Sequence, residues 1–290
     1  MVESRLNPNG ISVSDSIGSL RQWVAQHPRL FVLTGAGVST GSGIPGYRDD
    51  AGQWQRRQPV THQDFIASHA TRQRYWSRSM LGYPMMRDAQ PNRAHLALAA
   101  LEAAGHVTQL VTQNVDGLHH LAGSARVTEL HGSVHQVVCL GCGIQEARGS
   151  LQARMLDDNP AFAARRAAVA PDGDADVEAE DLAAFVVPVC DACGGMVKPD
   201  VVFYGAGVPR VRLDAAFDAL AGADAVLVAG SSLMVYSGYR FCLRAQDLGK
   251  PIVAINQGRT RADALFALKV NQDCAPVLAA LAEQLAPQRN

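Results

Sequence analysis

Four consecutive apolar residues, Leu30-Phe31-Val32-Leu33, run directly into a loop that places five glycines within the thirteen residues Gly35 to Tyr47. A continuous apolar run of this length marks a strand buried on both faces, as in a parallel sheet flanked by helices. Gly35 and Gly37 then let the chain turn tightly and bring its backbone close to a pyrophosphate. Ser39 and Thr40 are placed to cap the helical turn that follows, whose free N–H groups attract anions. The loop is not of the Walker type, because no Gly-Lys-Ser/Thr follows, and Gly41 and Gly43 depart from G-x-G-x-x-G spacing. On the glycines alone, a phosphate-binding loop and a tight strand-to-helix turn both stay open.

A second strand, Val107 to Val111, ends in Thr112-Gln113-Asn114-Val115-Asp116-Gly117-Leu118-His119-His120, and a short third one, Thr128 to Leu130, closes on His131-Gly132-Ser133. Amide, carboxylate and imidazole groups thus gather at the carboxyl ends of strands, where open α/β sheets bind ligands. Taken in order, GAGVSTGSGIPGYR, TQNVDGLHH and LHGS resemble the sirtuins, the NAD-dependent protein deacylases, and the resemblance runs from Leu30 to Cys274. RQRYWSRSMLGYP (Arg72 to Pro84), APDGD (Ala170 to Asp174) and GSSLMVYSGYRF (Gly230 to Phe241) are similar to the class II branch, which includes the mitochondrial sirtuin 4 of animals.

Composition agrees with a globular enzyme: 290 residues suggest about two structural units, and 48% hydrophobic content suffices for a core. A net charge of −1 gives no electrostatic case for a nucleic-acid partner. No run of about 18 apolar residues is present to cross a membrane, and the N-terminus MVESRLNPNGISVSDS lacks the apolar core of a signal peptide and makes a poor transit peptide. Only Lys198, Lys250 and Lys269 among the 26 basic residues are lysine, a bias of GC-rich bacterial genomes. A bacterial cytoplasm and a monomer are therefore the expectations.

Four of the six cysteines form two pairs, Cys139-x-x-Cys142 and Cys190-x-x-Cys193, each followed by glycine. That is zinc-ribbon spacing, in which both thiolates of a knuckle point at one metal. Disulfides are the alternative, disfavoured in a chain without a secretion signal. The 47 residues between the pairs exceed the usual spacing and read as a helix over 149–156 followed by an acidic stretch, Pro171 to Asp181. A four-thiolate site is closed, so one zinc here is expected to be structural. Cys242 reads as core packing, and the resemblance puts Cys274 near the adenine.

Asp224 to Ala229 and Pro251 to Ile255 are further strands of the parallel type, ending in Gly230-Ser231-Ser232 and Asn256-Gln257-Gly258. Their small hydroxyls and amides suit ribose and phosphate oxygens, and an ordinary strand-to-helix turn is the alternative for each. The expected fold is α/β: a Rossmann-like doubly wound parallel sheet (1–49, 91–137 and 199–290), with a helical module (50–90) and a zinc-binding module (138–198) inserted as a smaller domain. Lys198 to Gly205 leads back from the zinc module to the sheet. In sirtuins the matching backbone pairs with the substrate peptide as an added strand, so Val202, Phe203 and Gly205 are expected at the acyl-lysine. Without the family, Val201-Val202-Phe203 is simply a buried strand.

The resemblance further implies the chemistry: the nicotinamide–ribose bond breaks, the acyl-lysine oxygen attacks the ribose carbon, and His131 acts as general base on a ribose hydroxyl so that the acyl group passes to ADP-ribose. An imidazole that is neutral at pH 7 suits that task. Asn114 and Asp116 would position ribose, water and the nicotinamide amide. Gln113 and Val115 would border the ribose, and Gly35, Ala36, Gly37, Ser39, Thr40, Pro45, Tyr47 and Arg48 the remaining cofactor. His119, His120 and His135 read as structural. The chain departs from the family twice. Gly46 stands where most sirtuins carry Asp in Ile-Pro-Asp-Phe/Tyr-Arg, which removes a carboxylate near nicotinamide. The Tyr-x-x-Arg pair that serves acidic acyl groups is not cleanly present in Gly52 to Arg57, so acidic acyl chains are not the first expectation, although Arg56 or Arg57 could still reach one. The same motifs also fit a protein mono-ADP-ribosyltransferase, and a non-catalytic NAD-sensing interaction protein is the reading from another class.

Overall fold

The computed structural model describes residues 13–46, 59–163, 182 and 184–286. Tyr47, Arg48, Gly52 to Arg57, Ala170 to Asp174 and the acidic stretch lie outside the described residues. The chain opens with helix α1 (Val13–Gln26), strand β1 (Leu30–Thr34) and two short 3-10 turns, Ala36–Val38 and Thr40–Ser42. Helices α2 (His62–Ala67), α3 (His69–Asp88) and α4 (Arg93–Ala103) precede β2 (Val107–Thr112), α5 (Leu118–Leu121), β3 (Val127–Glu129), β4 (Gly132–Cys139) and β5 (Gln145–Ala147). There follow α6 (Arg148–Asp158), α7 (Pro160–Ala163), β6 (Val197–Val201), α8 (Arg210–Gly222), β7 (Ala225–Ala229), α9 (Tyr236–Asp247), β8 (Ile252–Ile255), β9 (Leu268–Val270) and α10 (Cys274–Leu285).

The main sheet has strand order β3-β2-β1-β7-β8-β9, and every neighbouring pair is parallel. Successive side chains of a strand face opposite sides, and here both sides are covered. Leu30 and Val32 enter a core with Leu20 and Val24 of α1, Leu98 and Leu101 of α4 and Leu278 and Leu281 of α10. Phe31 and Leu33 enter the opposite core with Ala216 and Leu220 of α8 and Phe241, Cys242 and Ala245 of α9. Double burial is why β7 is apolar at every position and β1 at every position before Thr34, rather than at alternate ones. Each such Leu or Phe contributes about 1.5–3 kcal/mol.

Helix α4 begins at a capping box: Asn92 accepts from Ala94 N, and His95 Nδ1 accepts from Asn92 N. The remaining amide N–H groups of Asn92 donate to Val38 O at 2.8 Å and Ser42 Oγ at 2.9 Å, so the start of α4 also anchors the glycine loop.

The smaller lobe is a three-stranded antiparallel sheet, β5-β4-β6, with α2, α3, α6 and α7. The helical and cysteine-bearing insertions share one core there, in which Phe65, Trp76 and Met80 pack with Val137, Leu151, Met155 and Val197. Arg148 is 1% exposed and joins the two parts with no carboxylate partner among the described residues. Its guanidinium lies 4.4 Å from the Tyr83 ring centre and 5.5 Å from that of Trp76, and it donates to Gln152 Oε1 and Ser79 O. Burial pulls it down to about 10. The strands β4 and β9 were not evident from sequence: β4 carries His135 and Gln136 amid its apolar residues, and β9 is three residues long; β6 ends at Val201, so the strand expected over Val201–Phe203 starts four residues earlier and leaves Val202 and Phe203 beyond its end. No helix among the described residues is long and apolar enough to cross a membrane.

Candidate active site

The carboxyl ends of β1, β2, β7 and β8 bring four polar loops together beside the point where the chain crosses from β1 to its two neighbours. Gly37 N donates to Gly230 O at 2.8 Å. A Cβ on Gly37 would lie 2.8 Å from that oxygen, and one on Gly230, at φ +57°, would lie 2.5 Å from Val38 N. These two glycines are therefore required by the packing of one loop on the other, a reason the sequence alone did not show. Ser39 also departs from expectation, since no side chain caps either 3-10 turn. Its hydroxyl donates instead to Asp116 Oδ2 at 2.6 Å, and Thr40 Oγ1 donates back to Gly37 O.

Asp116 is 3% exposed and accepts also from Leu118 N at 3.0 Å, while its backbone carbonyl accepts from His135 Nε2 at 2.9 Å. Asn114 donates through Nδ2 to Gly35 O and Ser39 Oγ. A directed chain, Asn114 to Ser39 to Asp116, thus locks the end of β2 onto the glycine loop. Gln113 spends its side-chain amide on Ser231 Oγ (2.7 Å) and Thr34 O (3.2 Å), and so clamps the loops after β1 and β7. Its backbone carbonyl accepts from His131 Nδ1 at 2.7 Å. A carbonyl only accepts, so the proton of a neutral His131 sits on Nδ1 and its lone pair on Nε2, 2.8 Å from Ser237 Oγ. Burial holds this imidazole below its ordinary value against the pull of the Gln113 carbonyl, and Arg240 lowers it further.

Most of these groups line one cleft of about 560 Å³, within the range of small-ligand sites, about 300–1,000 Å³. Gly35, Ala36, Gly37, Ser39, Thr40, Gln113, Asn114, Val115, Asp116 and His131 border it. So do Gly230, Ser231, Ser232, Asn256, Gln257 and Cys274, and on the substrate side Val202, Phe203 and Gly205. Pro45 and Gly258 do not; Gly258 is occupied in its own loop, donating to Asn271 Oδ1 and accepting from Lys269 Nζ. Val202 N donates to His131 O at 2.8 Å, which fixes the exit of β6 to the histidine. Behind Phe203 the ammonium of Lys198 lies 4.7 Å from the ring centre and donates to Pro199 O and Val201 O; burial pulls it down to about 8. Cys274 is buried, and that burial pushes its thiol up to about 12.

His119 is buried against Thr34 Oγ1 and the ring of His95, and burial drives it well below its ordinary value, as befits a structural group. Leu233, on the cleft wall, has φ +56° and is the one non-glycine residue with positive φ among those described. Sequence reasoning missed Ser237, Arg240, Val60 and Tyr75, all of which line the cleft. Ser237 lay in a motif already singled out, yet nothing local ties it to a histidine 106 residues away.

The second centre lies in the small lobe. The sulfurs of Cys139, Cys142, Cys190 and Cys193 all lie within 4.8 Å of one another, and all six cysteines are free thiols. The contacts of Cys139 with Cys193 (3.5 Å) and Cys142 with Cys190 (3.7 Å) cross between the two knuckles. A tetrahedral zinc with bonds of about 2.3 Å sets its sulfurs about 3.8 Å apart, so the four thiols fit that metal. Cys142 N and Gly141 N point at Cys139 Sγ and bring its thiol down to about 6.

The Sir2 family profile matches residues 35–237. Among the relatives is an NAD-dependent protein deacetylase of Xanthomonas axonopodis pv. citri, 56% identical over 263 residues that cover 91% of this chain and 90% of that protein. Another is the bovine NAD-dependent protein lipoamidase sirtuin-4, mitochondrial, 47% identical over 91% of this chain and 85% of its own length. A solved Sir2 structure with a p53 peptide and NAD+ superposes with a TM-score of 0.74 over 92% of this chain and 98% of that one, at 29% identity. With its parallel sheet, its four-cysteine centre and its glycine loop facing His131, this chain belongs to the Sir2 family.

Proposed function

We propose that this chain is an NAD-dependent protein-lysine deacylase that releases nicotinamide, O-acyl-ADP-ribose and free lysine. The observation that carries the reading is that His131, the glycine loop and the Val202–Phe203 wall border one cleft, with the imidazole lone pair on Nε2. The names of the bacterial relatives and of the bovine lipoamidase support it.

Bound NAD would supply an electrophilic ribose carbon and the hydroxyls next to it. His131 takes a proton at Nε2, and Gln113 O keeps the ring in the tautomer that can do so. Among the described residues the Asn114 side chain hydrogen-bonds through Nδ2 alone, which leaves its Oδ1 as an acceptor that fits a ribose hydroxyl or an ordered water. Asp116, held by Ser39 and Leu118 N, positions the nicotinamide end. The small loops at Gly230–Ser232 and Asn256–Gln257 border the rest of the cofactor, and Tyr47 and Arg48 are assigned to it by resemblance alone. Val202 and Phe203 exclude water around the acyl chain. The outer edge of β6, at the rim of its sheet, is where an extended substrate would add as a strand. The four-cysteine centre would hold a structural zinc. We read the chain as a monomer of a bacterial cytoplasm, in line with its bacterial relatives.

The test is mass spectrometry of the protein with NAD and lysine peptides carrying acetyl, lipoyl, longer aliphatic or acidic acyl groups. Free lysine together with O-acyl-ADP-ribose is expected. ADP-ribose attached to protein would move the assignment to a mono-ADP-ribosyltransferase, and no turnover on any peptide would leave an NAD-binding interaction protein.

A further inference from the structure

Helix α9 starts at the wall of the cleft, and its first turn carries Tyr236, Ser237 and Arg240. Ser237 touches His131, and Arg240 is close enough to lower that imidazole. The Nε of Arg240 is buried and has no hydrogen-bond partner, and among the cleft-lining residues described it is the one such orphaned side-chain atom. Among the described residues the guanidinium makes no ion pair, and it lies over the Tyr236 ring, 4.9 Å from the centre. A second guanidinium, Arg261, reaches the same ring at 5.8 Å and that of Tyr239 at 4.5 Å, and donates to Met234 O at 3.4 Å. Two like charges therefore converge on one aromatic ring, with no carboxylate paired to either among the described residues. The carboxylates that line the cleft among the described residues are Asp116, held by Ser39 and Leu118 N, and Asp273, which caps Ala275 N. Tyr236 is 52% exposed, so the rim opens to solvent at the mouth.

Uncompensated guanidinium charge beside an orphaned N–H calls for an anion from outside the chain. We propose that Arg240 and Arg261, gathered on Tyr236, receive a carboxylate side chain of the protein substrate next to the acyl-lysine, so that acid-flanked lysines are preferred. The inference rests on the deacylase reading and names the substrate class it serves. A cofactor phosphate is a poorer occupant, because the rim flanks the solvent mouth and the reacting histidine, while the free N–H groups of the glycine-loop turns suit phosphate.

The experiment compares three acetyl-lysine peptides that differ only in neighbours of the lysine, Glu, Ala or Arg. Wild-type kcat/KM is expected to fall in that order, by roughly tenfold from first to last, as a charge-assisted bond to a partly desolvated arginine implies. The spread should shrink at high salt. Arg240→Gln should flatten the order and Arg240→Glu reverse it, with Arg261→Gln giving a smaller loss and the KM for NAD unchanged. Zinc content and thermal melting establish that each variant is folded. Equal rates for all three peptides, or an order that survives Arg240→Glu, would overturn the proposal. So would an Arg240→Gln effect on the KM for NAD that is the same with every peptide, which would assign the arginine to a phosphate. In a second arm the acyl group itself ends in a carboxylate and the neighbours are neutral; an Arg240 effect confined to that peptide would place the anion on the acyl chain and defeat the proposal. Fluorescence anisotropy of the same labelled peptides reads the rim without turnover, so a protein that deacylates nothing but still ranks them would defeat the deacylase reading alone.

Discussion

Ser237 Oγ lies 2.8 Å from Nε2 of His131, the ring nitrogen left unprotonated by the Gln113 carbonyl on the other side. The hydroxyl therefore donates to the lone pair that would receive a substrate proton. It holds the imidazole at a fixed tilt.

Ser237→Ala removes this contact and leaves the Gln113 bond intact. One neutral hydrogen bond is worth about 1 kcal/mol, so kcat should fall about fivefold with little change in KM, measured by steady-state kinetics under saturating NAD. An unchanged kcat would show that Gln113 alone orients the ring.

His131→Ala removes the proposed base, and turnover should drop about a hundredfold or more with the zinc content unaltered. In the wild type the base must be neutral. Because burial holds it below its ordinary 6.5, the acid limb of the kcat profile should have its midpoint under pH 6.5. The same shift makes the unfolded chain bind the proton first, so this group's stabilisation is complete above pH 6.5 and is lost as acid reaches the folded value. Arg240→Gln removes a charge that lowers His131 and should move the limb to higher pH.

Ser39→Ala strands the buried Asp116 carboxylate with Leu118 N alone on its side chain. Loss of a charge-assisted bond costs about 1.5–3 kcal/mol, which in a chain of this size lowers Tm by roughly 2–5 °C. Differential scanning calorimetry reads this directly. Activity should fall as well, since Asn114 loses the same anchor.

Cys142→Ser should abolish zinc binding and disorder the small lobe, because a structural zinc carries on the order of 10 kcal/mol. Cys139 and Cys190 are part of the core that holds Phe65, Trp76 and Phe203. Activity should therefore disappear although no zinc ligand borders the cleft. Zinc per chain and near-ultraviolet circular dichroism, taken together with turnover, check the link.

Much of the architecture could be read locally. The run Leu30–Leu33 foretold a doubly covered strand because both its faces are apolar, and Cys139-x-x-Cys142 foretold a knuckle because its two thiols are three residues apart. Strand β4 escaped notice because polar His135 and Gln136 break its apolar run, and the helical module seemed separate because its partner core lies more than fifty residues further on.

By itself, then, the sequence determined the parallel sheet, the metal knuckles and the loops at the sheet's carboxyl edge, since each depends on residues adjacent in the chain. Only the tertiary structure decided what those residues do to one another. Ser39 serves Asp116 rather than a helix end, Gly37 leaves room for Gly230 as well as bordering the cleft, and Ser237 with Arg240 completes the surroundings of His131. Such pairings join segments some 75 to nearly 200 residues apart, and hydrogen bonds and close packing act over a few ångströms of space whatever the distance along the chain.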